Sequence, residues 1–343
     1  MKAETIWWNQ IPGPARYLND TASADTTVLF VEETCYTDHF LLLLKDKLRQ
    51  EDSNLQIDVS YAAQWAHHSD IGEVLMNQYA PSVDYHPMDG RRAAILAEKN
   101  LLAGRLLVIR QVEHPSPWLE FSEIYAKHST YRRVIIILTY RGQCPLASKR
   151  KGISVLQWSE YSTPYDMQLF ASYCISSRNG LSAIQMNYIA QVASRLAGTN
   201  PELCQALATE ELALDPHGLL RLLADRHEGA ARLIANRKIL EHLLWEAQIQ
   251  TVFPIIEQER RRFIEAYFDQ LTDVLPQQDE FGKEIKDPQD MELRHIWYYY
   301  FRNNGTFNNN EEARRFHLLY NARNDLAHLD ALNSQVVDRI LRR

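Results

Sequence analysis

Between residues 25 and about 175, short runs of aliphatic and β-branched residues alternate with stretches whose apolar positions recur every three or four residues. TTVLFVEE, LQIDVSYAA, RLLVIRQVE (105–113), RRVIIILTYRG (132–142) and ISVLQWSEY are the apolar runs. HFLLLLKDKLRQ and WLEFSEIYAKHS carry the helical period. A strand covered on both faces has no polar side to present, so continuous apolar runs separated by helices predict a parallel sheet between helical layers. From about 181 onward no strand-like run survives. LSAIQMNYIAQVASRLAG and ILEHLLWEAQIQTVFPIIEQERRRFIEAYFDQL place apolar residues at three- and four-residue steps, which predicts an all-helical second half.

Proline and glycine set the joints. GTNPEL (198–203) and DPHG (215–218) interrupt the helices, the acidic LPQQDEFGKEIKDPQD (275–290) reads as a mobile loop, and RNNGTFNNNEE (302–312) as a turn or loop before the closing helix. No fixed-period repeat is present. A chain of 343 residues exceeds the usual single-domain size, so two domains are expected.

Composition narrows the class. Hydrophobic residues make up 45% and charged residues 24%, which is ordinary globular composition, and no apolar run approaches the roughly 20 residues that cross a bilayer. The N-terminal MKAETIWWNQIPGP has an acidic residue and no continuous apolar core, unlike a secretory signal. A soluble, cytoplasmic protein without membrane contact is therefore expected. Cys35, Cys144, Cys174 and Cys204 have no CxxC spacing, which argues against a zinc site or a disulfide framework and for buried reduced thiols. The formal charge of −7, with no basic run longer than SKRK (148–151) or RRR (260–262), excludes a broad nucleic-acid-binding surface.

Within the α/β half, the chain after the first strand reads EETCYTDHF, with neither glycine nor lysine and with two adjacent carboxylates, Glu32 and Glu33. The strand RLLVIRQVEH ends in Arg110 and Gln111, with Glu113 two positions on, and VIIILTYRG ends in Thr139 and Arg141. The order of elements resembles P-loop ATPases of the AAA and STAND type. That resemblance implies an α/β domain over 25–180 and a helical lid or linker over 181–228, preceded by a lead-in segment, 1–24, that packs through the tryptophans of WWNQIPGPARYL. It also implies a phosphate loop after the first strand, magnesium-holding acids after RLLVI, and a sensor at the Thr-x-Arg of residues 139–141. Here the loop and acids are missing: carboxylates repel a triphosphate, and an amide and a guanidinium do not ligate Mg²⁺. A degenerate module without cofactor or metal is the expectation.

On the closing helix, ARRFHLLYNARNDLAHLDALNSQVVDRILRR, the residues Leu319, Ala322, Leu326, Leu329, Leu332, Val336 and Ile340 predict one buried stripe. Arg323, Asn324 and His328 fall off it. The segment RNDLAH resembles the Arg-x4-His motif of the HEPN family, compact helical domains that often act as RNases, and the domain from 229 to 343 is helical with its motif late, as that family has it. By this resemblance Arg323, Asn324 and His328 are the catalytic residues, and Glu292, Arg294 and His295, in MELRHIWYYYF, are accessory polar residues from an earlier helix. The chemistry needs no metal: the 2′-hydroxyl of RNA attacks its own phosphorus, His328 moves protons, Arg323 holds the non-bridging oxygens and Asn324 orients them.

On a regular helix Arg323 and His328 point about 140° apart, so one copy does not aim both at one phosphate. The resemblance implies a homodimer through the C-terminal helices. Residues 230–343 hold 16 Lys and Arg against 18 Asp and Glu, which favours a small structured substrate such as a tRNA loop over nonspecific RNA binding. The expected function is an endoribonuclease effector on a nucleotide-independent, ATPase-like sensor, in bacterial anti-phage defence or a toxin system, with a partner or trigger protein. A non-enzymatic adaptor of such a system and an atypical ATPase are the alternatives.

Overall fold

The computed structural model describes residues 2–65, 70–86, 88, 90–130, 133–142, 150–176, 178–279, 281–303 and 305–342, so Cys144 and half of SKRK lie outside the described residues. The chain forms two compact units, Met1–Asp166 and Met167–Arg343.

The first unit is built on five strands, β1 (Val28–Glu32), β2 (Gln56–Tyr61), β3 (Arg105–Arg110), β4 (Ile136–Tyr140) and β5 (Ile153–Leu156). They form one sheet in the order β2-β3-β4-β1-β5, every neighbouring pair parallel, with Val28 of β1 level with Ile136 on one side and Ile153 on the other. The run VLFV of β1 and all of β4 are buried, as unbroken apolar sequence demands of central strands. The edge strand β2 exposes Val59 and Tyr61, two apart on one face, and carries Asp58 in an ion pair with Arg105 of β3.

Among the described residues, six α-helices join these strands or precede them: α1 (Ala3–Gln10), α2 (Pro12–Ala22), α3 (Thr37–Glu51), α4 (Ile71–Tyr79), α5 (Arg92–Glu98) and α6 (Pro115–His128). The expected α/β architecture is present. The lead-in tryptophans are core residues: Trp7 packs against Trp158 at 5.8 Å, Trp8 against Phe40 at 4.9 Å, and Tyr17 meets Trp158 edge-on at 5.1 Å. The turn between α1 and α2 is fastened by Asp166, whose carboxylate accepts from the Gly13 amide at 3.0 Å and from the Thr163 amide and hydroxyl.

The second unit continues the helical count from α7 (Pro164–Ile175) through α8 (Ala183–Ala197), α9 (Pro201–Thr209), α10 (Pro216–Leu223) and α11 (Glu228–Ala235). It goes on with α12 (Arg237–Thr251), α13 (Phe253–Ala266), α14 (Phe268–Asp273), α15 (Leu293–Ile296), α16 (Asn310–Ala327) and α17 (Ser334–Leu341). Capping follows the sequence: Ser182 and Gln185 form a reciprocal capping box on α8, and Asn200, Asn236, Asn309 and Asn333 cap α9, α12, α16 and α17. Among the described residues no helix is long and apolar enough to cross a membrane.

Two expectations for this half need correction, the loop at 275–290 and the unbroken closing helix. Residues 275–290 are not a featureless loop: Gln277–Gln278 (β6) pairs antiparallel with Glu284–Ile285 (β7), and Asp279 closes the turn by accepting from the amides of Phe281 and Lys283. The run from Ile239 to Leu271 is broken at Val252, where Pro254 sits in the first turn of α13, and again at Tyr267. The closing helix also ends early. Ala327 is its last residue, Leu329 takes a left-handed backbone with φ of 67° and is 67% exposed, and α17 begins afresh behind Asn333. Leu319, Ala322, Leu326, Leu332 and Ile340 are buried as expected, but Leu329 points to solvent and Val337, rather than Val336, is the fully buried valine of α17.

Candidate functional site

In an open parallel sheet the ligand crevice lies beyond the carboxyl ends of strands whose outgoing connections diverge. Here β1 leads through α3 to the far edge strand β2, whereas β4, its neighbour, leads past β1 to β5. The crevice is therefore expected where β1 and β4 end, at Glu32, Glu33, Thr139 and Arg141.

That place is occupied by the chain itself. The Glu33 carboxylate accepts from the Thr139 hydroxyl at 2.7 Å and from Arg141 Nε at 2.8 Å, and its side chain is 1% exposed although Arg141 is 71% exposed. Glu32 turns the other way. Its carboxylate accepts from the Trp158 amide at 2.7 Å and its carbonyl from the Tyr17 hydroxyl at 2.7 Å. Burial, and then the Glu32 charge, push the Tyr17 hydroxyl far above the usual tyrosine range. A buried carboxylate is costly unless donors replace its water. The buried Glu33 side chain has two such donors, and the half-buried Glu32 has one.

The neighbouring strand end is more open but carries its own contacts. Gln111, whose backbone is left-handed with φ of 57°, donates its amide to Thr139 Oγ1 at 3.1 Å. Arg110 reaches back to Asp38 at 2.8 Å and to the Tyr61 hydroxyl at 3.1 Å, with its guanidinium 5.1 Å from the centre of that ring. Glu113 is exposed to solvent. Among the described residues no group of three or more His, Cys, Asp or Glu side chains is arranged to hold a metal.

In the second unit the candidate residues divide into two groups. Arg323 Nη2 donates to Glu292 Oε2 at 2.8 Å, and Arg294 Nε lies 3.3 Å from the same oxygen, so one carboxylate bridges two guanidiniums. His295 is buried. It stacks on Tyr299 with ring centres 5.6 Å apart, and its Nδ1 accepts from the Glu292 amide, capping α15. Arg323 and Asn324 are half-buried. His328 stands apart and exposed at the C-terminal cap of α16, where its amide donates to the carbonyls of Asn324 and Asp325 at 3.0 Å.

Two side chains from α12 fix the turn that carries His328. Trp245 Nε1 donates to the Leu326 carbonyl at 2.8 Å, and the Gln248 amide makes both possible bonds to the Leu332 backbone, at 2.7 and 2.9 Å. No family model and no curated protein matches this sequence. Among solved structures, the chain is similar to Rif2, in a crystal structure with the C-terminal domain of Rap1, at 10% identity and a TM-score of 0.30, over 68% of this chain and 86% of that one. At that score the likeness carries no argument about fold or function, and the residues themselves remain the basis for one.

Trp245 and Gln248 were missed by the sequence reading, as were Asp38 and Asp166. One signal was available for Gln248: it stands at the helical spacing of Leu240 and Leu244, where an apolar residue is expected. A glutamine on a buried stripe usually has a backbone partner, because an unpaired buried amide is costly.

Proposed function

We propose that this protein is a metal-independent endoribonuclease of the HEPN type. Its α/β unit is proposed to be an ATPase-like module that does not turn over nucleotide and serves as sensor or scaffold, in a bacterial anti-phage or toxin system. The observation that carries the reading is His328: an exposed imidazole on a turn locked by Trp245 and Gln248, five residues beyond Arg323. An exposed imidazole carried on a held backbone turn suits proton transfer at a scissile phosphate. Glu292 engages Nη2 of Arg323 and leaves the rest of the guanidinium fork for phosphate oxygens, while also holding it in one direction. Since Arg323 and His328 leave α16 on different sides, a complete site takes its arginine and its histidine from two copies, which implies a homodimer through the C-terminal helices.

For the α/β unit, the strand order and the diverging connections at β1 and β4 support an ATPase-like ancestry, and the occupied crevice supports its inactivity. The test is direct. Purified protein incubated with structured RNA in EDTA is expected to leave 2′,3′-cyclic phosphate ends, and Arg323→Ala or His328→Ala is expected to lower the rate at least about 100-fold with dimerisation unchanged. Undiminished cutting by both variants overturns the assignment. One observation favours a second reading, a non-enzymatic adaptor: Glu292 already neutralises Arg323 and Arg294, as a purely structural cluster would. RNA left intact by the wild-type dimer, alone and with the products of neighbouring genes, decides for that reading.

A further inference from the structure

The face of α16 turned toward α17 has no role in the chemistry described so far. A groove of about 680 Å³ runs between the two helices, lined among others by Asn310, Arg314, His317, Asn321 and Asp325 of α16 and by Arg339 of α17. At about 100° per residue, positions 314, 317, 321, 325 and 328 fall within an arc of about 80°, whereas Arg323 leaves the helix on the opposite side. The groove thus follows the stripe that ends at His328.

Its walls are built and its cations are available. Arg315 crosses from α16 to the end of α17 and donates to the carbonyls of Arg339 at 2.8 Å and Ile340 at 3.1 Å, which fixes the second helix end against the first. Arg314 and Arg339 are exposed, and among the described residues neither guanidinium has a hydrogen-bond or ion-pair partner. The His317 ring is half-buried, held edge-on against Trp297 at 4.6 Å. The lining therefore offers two free guanidiniums from opposite walls, two asparagine amides and an imidazole against one carboxylate, Asp325.

We propose that this groove binds the sugar-phosphate backbone of a single RNA strand and leads it to His328. The proposal rests on the endoribonuclease reading for the identity of its ligand. Guanidiniums suit phosphate oxygens bidentately, and a line of cations and amides along about 22 Å of helix suits a chain of phosphodiesters better than one small anion. Asp325 repels phosphate but accepts from a 2′-hydroxyl, the group that distinguishes RNA from DNA.

The test is fluorescence anisotropy of a labelled 12-nucleotide single-stranded RNA with full-length protein carrying His328→Ala, which removes the cutting. Adding Arg314→Ala and Arg339→Ala is expected to weaken binding at least about 10-fold and to reduce the slope of log K against log salt by about 1.4, while Arg→Lys at both positions keeps most of that slope. Equal affinity and slope in the alanine variants overturn the groove. So does poly-glutamate competing as well as RNA, since that would make it a site for acidic peptide. Cleavage assays in the His328-intact background separate the two claims. Groove-dependent binding by a protein that never cuts overturns the endoribonuclease and keeps the groove, whereas cutting and binding indifferent to Arg314 and Arg339 do the reverse.

Discussion

Gly13 has no space for a side chain: a Cβ there would lie 2.3 Å from the Tyr161 carbonyl oxygen and 2.7 Å from the Asp166 carboxylate. The backbone must come this close for the Gly13 amide to reach Asp166, so Gly13→Ala is expected to cost about 1–3 kcal/mol in denaturant unfolding, the usual range for overpacking. Glu33 makes the opposite case, since its removal leaves donors rather than a clash. Glu33→Ala strips the acceptor from Thr139 and Arg141, and because Arg141 can return to water the expected loss is about 2 kcal/mol, measured the same way. Glu32 and Glu33 stand out in the sequence as the wrong charges for a phosphate loop. Their donors do not, because Thr139, Arg141, Trp158 and Tyr17 approach only once β1 lies between β4 and β5, and no local pattern encodes that order.

At the level of elements, the end of α16 shows why a periodic stripe can mislead. Leu326, Leu329 and Leu332 keep the helical spacing across a place where the helix stops, so periodicity alone runs on to residue 341. The capping signal, Asn333 ahead of SQVV, was in the sequence and outweighs it. Leu329 adopts a left-handed conformation that costs a side-chain-bearing residue about 1 kcal/mol and is largely exposed, so Leu329→Gly is expected to be neutral or to stabilise by up to about 1 kcal/mol. Gln248→Leu should do the reverse. It abolishes two buried bonds to Leu332 and strands that residue's amide and carbonyl, for an expected loss of about 2–3 kcal/mol in a urea titration. Faster hydrogen exchange over 326–333 in this variant would locate the damage at the turn that carries His328.

Across the whole molecule, the five strands of the first unit and most helices of both were legible because burial on two faces, or on one, writes directly into residue pattern, whereas the short polar pair β6–β7 was not. The sites were only half legible: Arg323, Glu292 and Arg294 do meet, while His328 is held elsewhere by α12, more than 80 residues away in the chain. Burial also sets a molecule-wide response to alkali. Desolvation pushes Cys174 and Tyr188 up to about 12 and raises Tyr17 as well. In the unfolded chain these groups ionise from about pH 8.5 for cysteine and about pH 10 for tyrosine, so above those values the native state binds more protons than the unfolded one and stability falls with pH. Unfolding free energy is expected to decline steadily from about pH 9 to 12, and a flat profile would contradict the burial of these groups.

A nucleotide occupies its crevice only as far as its concentration and affinity allow, and leaves again. Glu33 is an anion tethered by the backbone it belongs to, so its effective concentration at Thr139 and Arg141 is fixed by chain geometry and owes nothing to the surrounding solution. That end of the sheet stays filled through starvation and plenty alike.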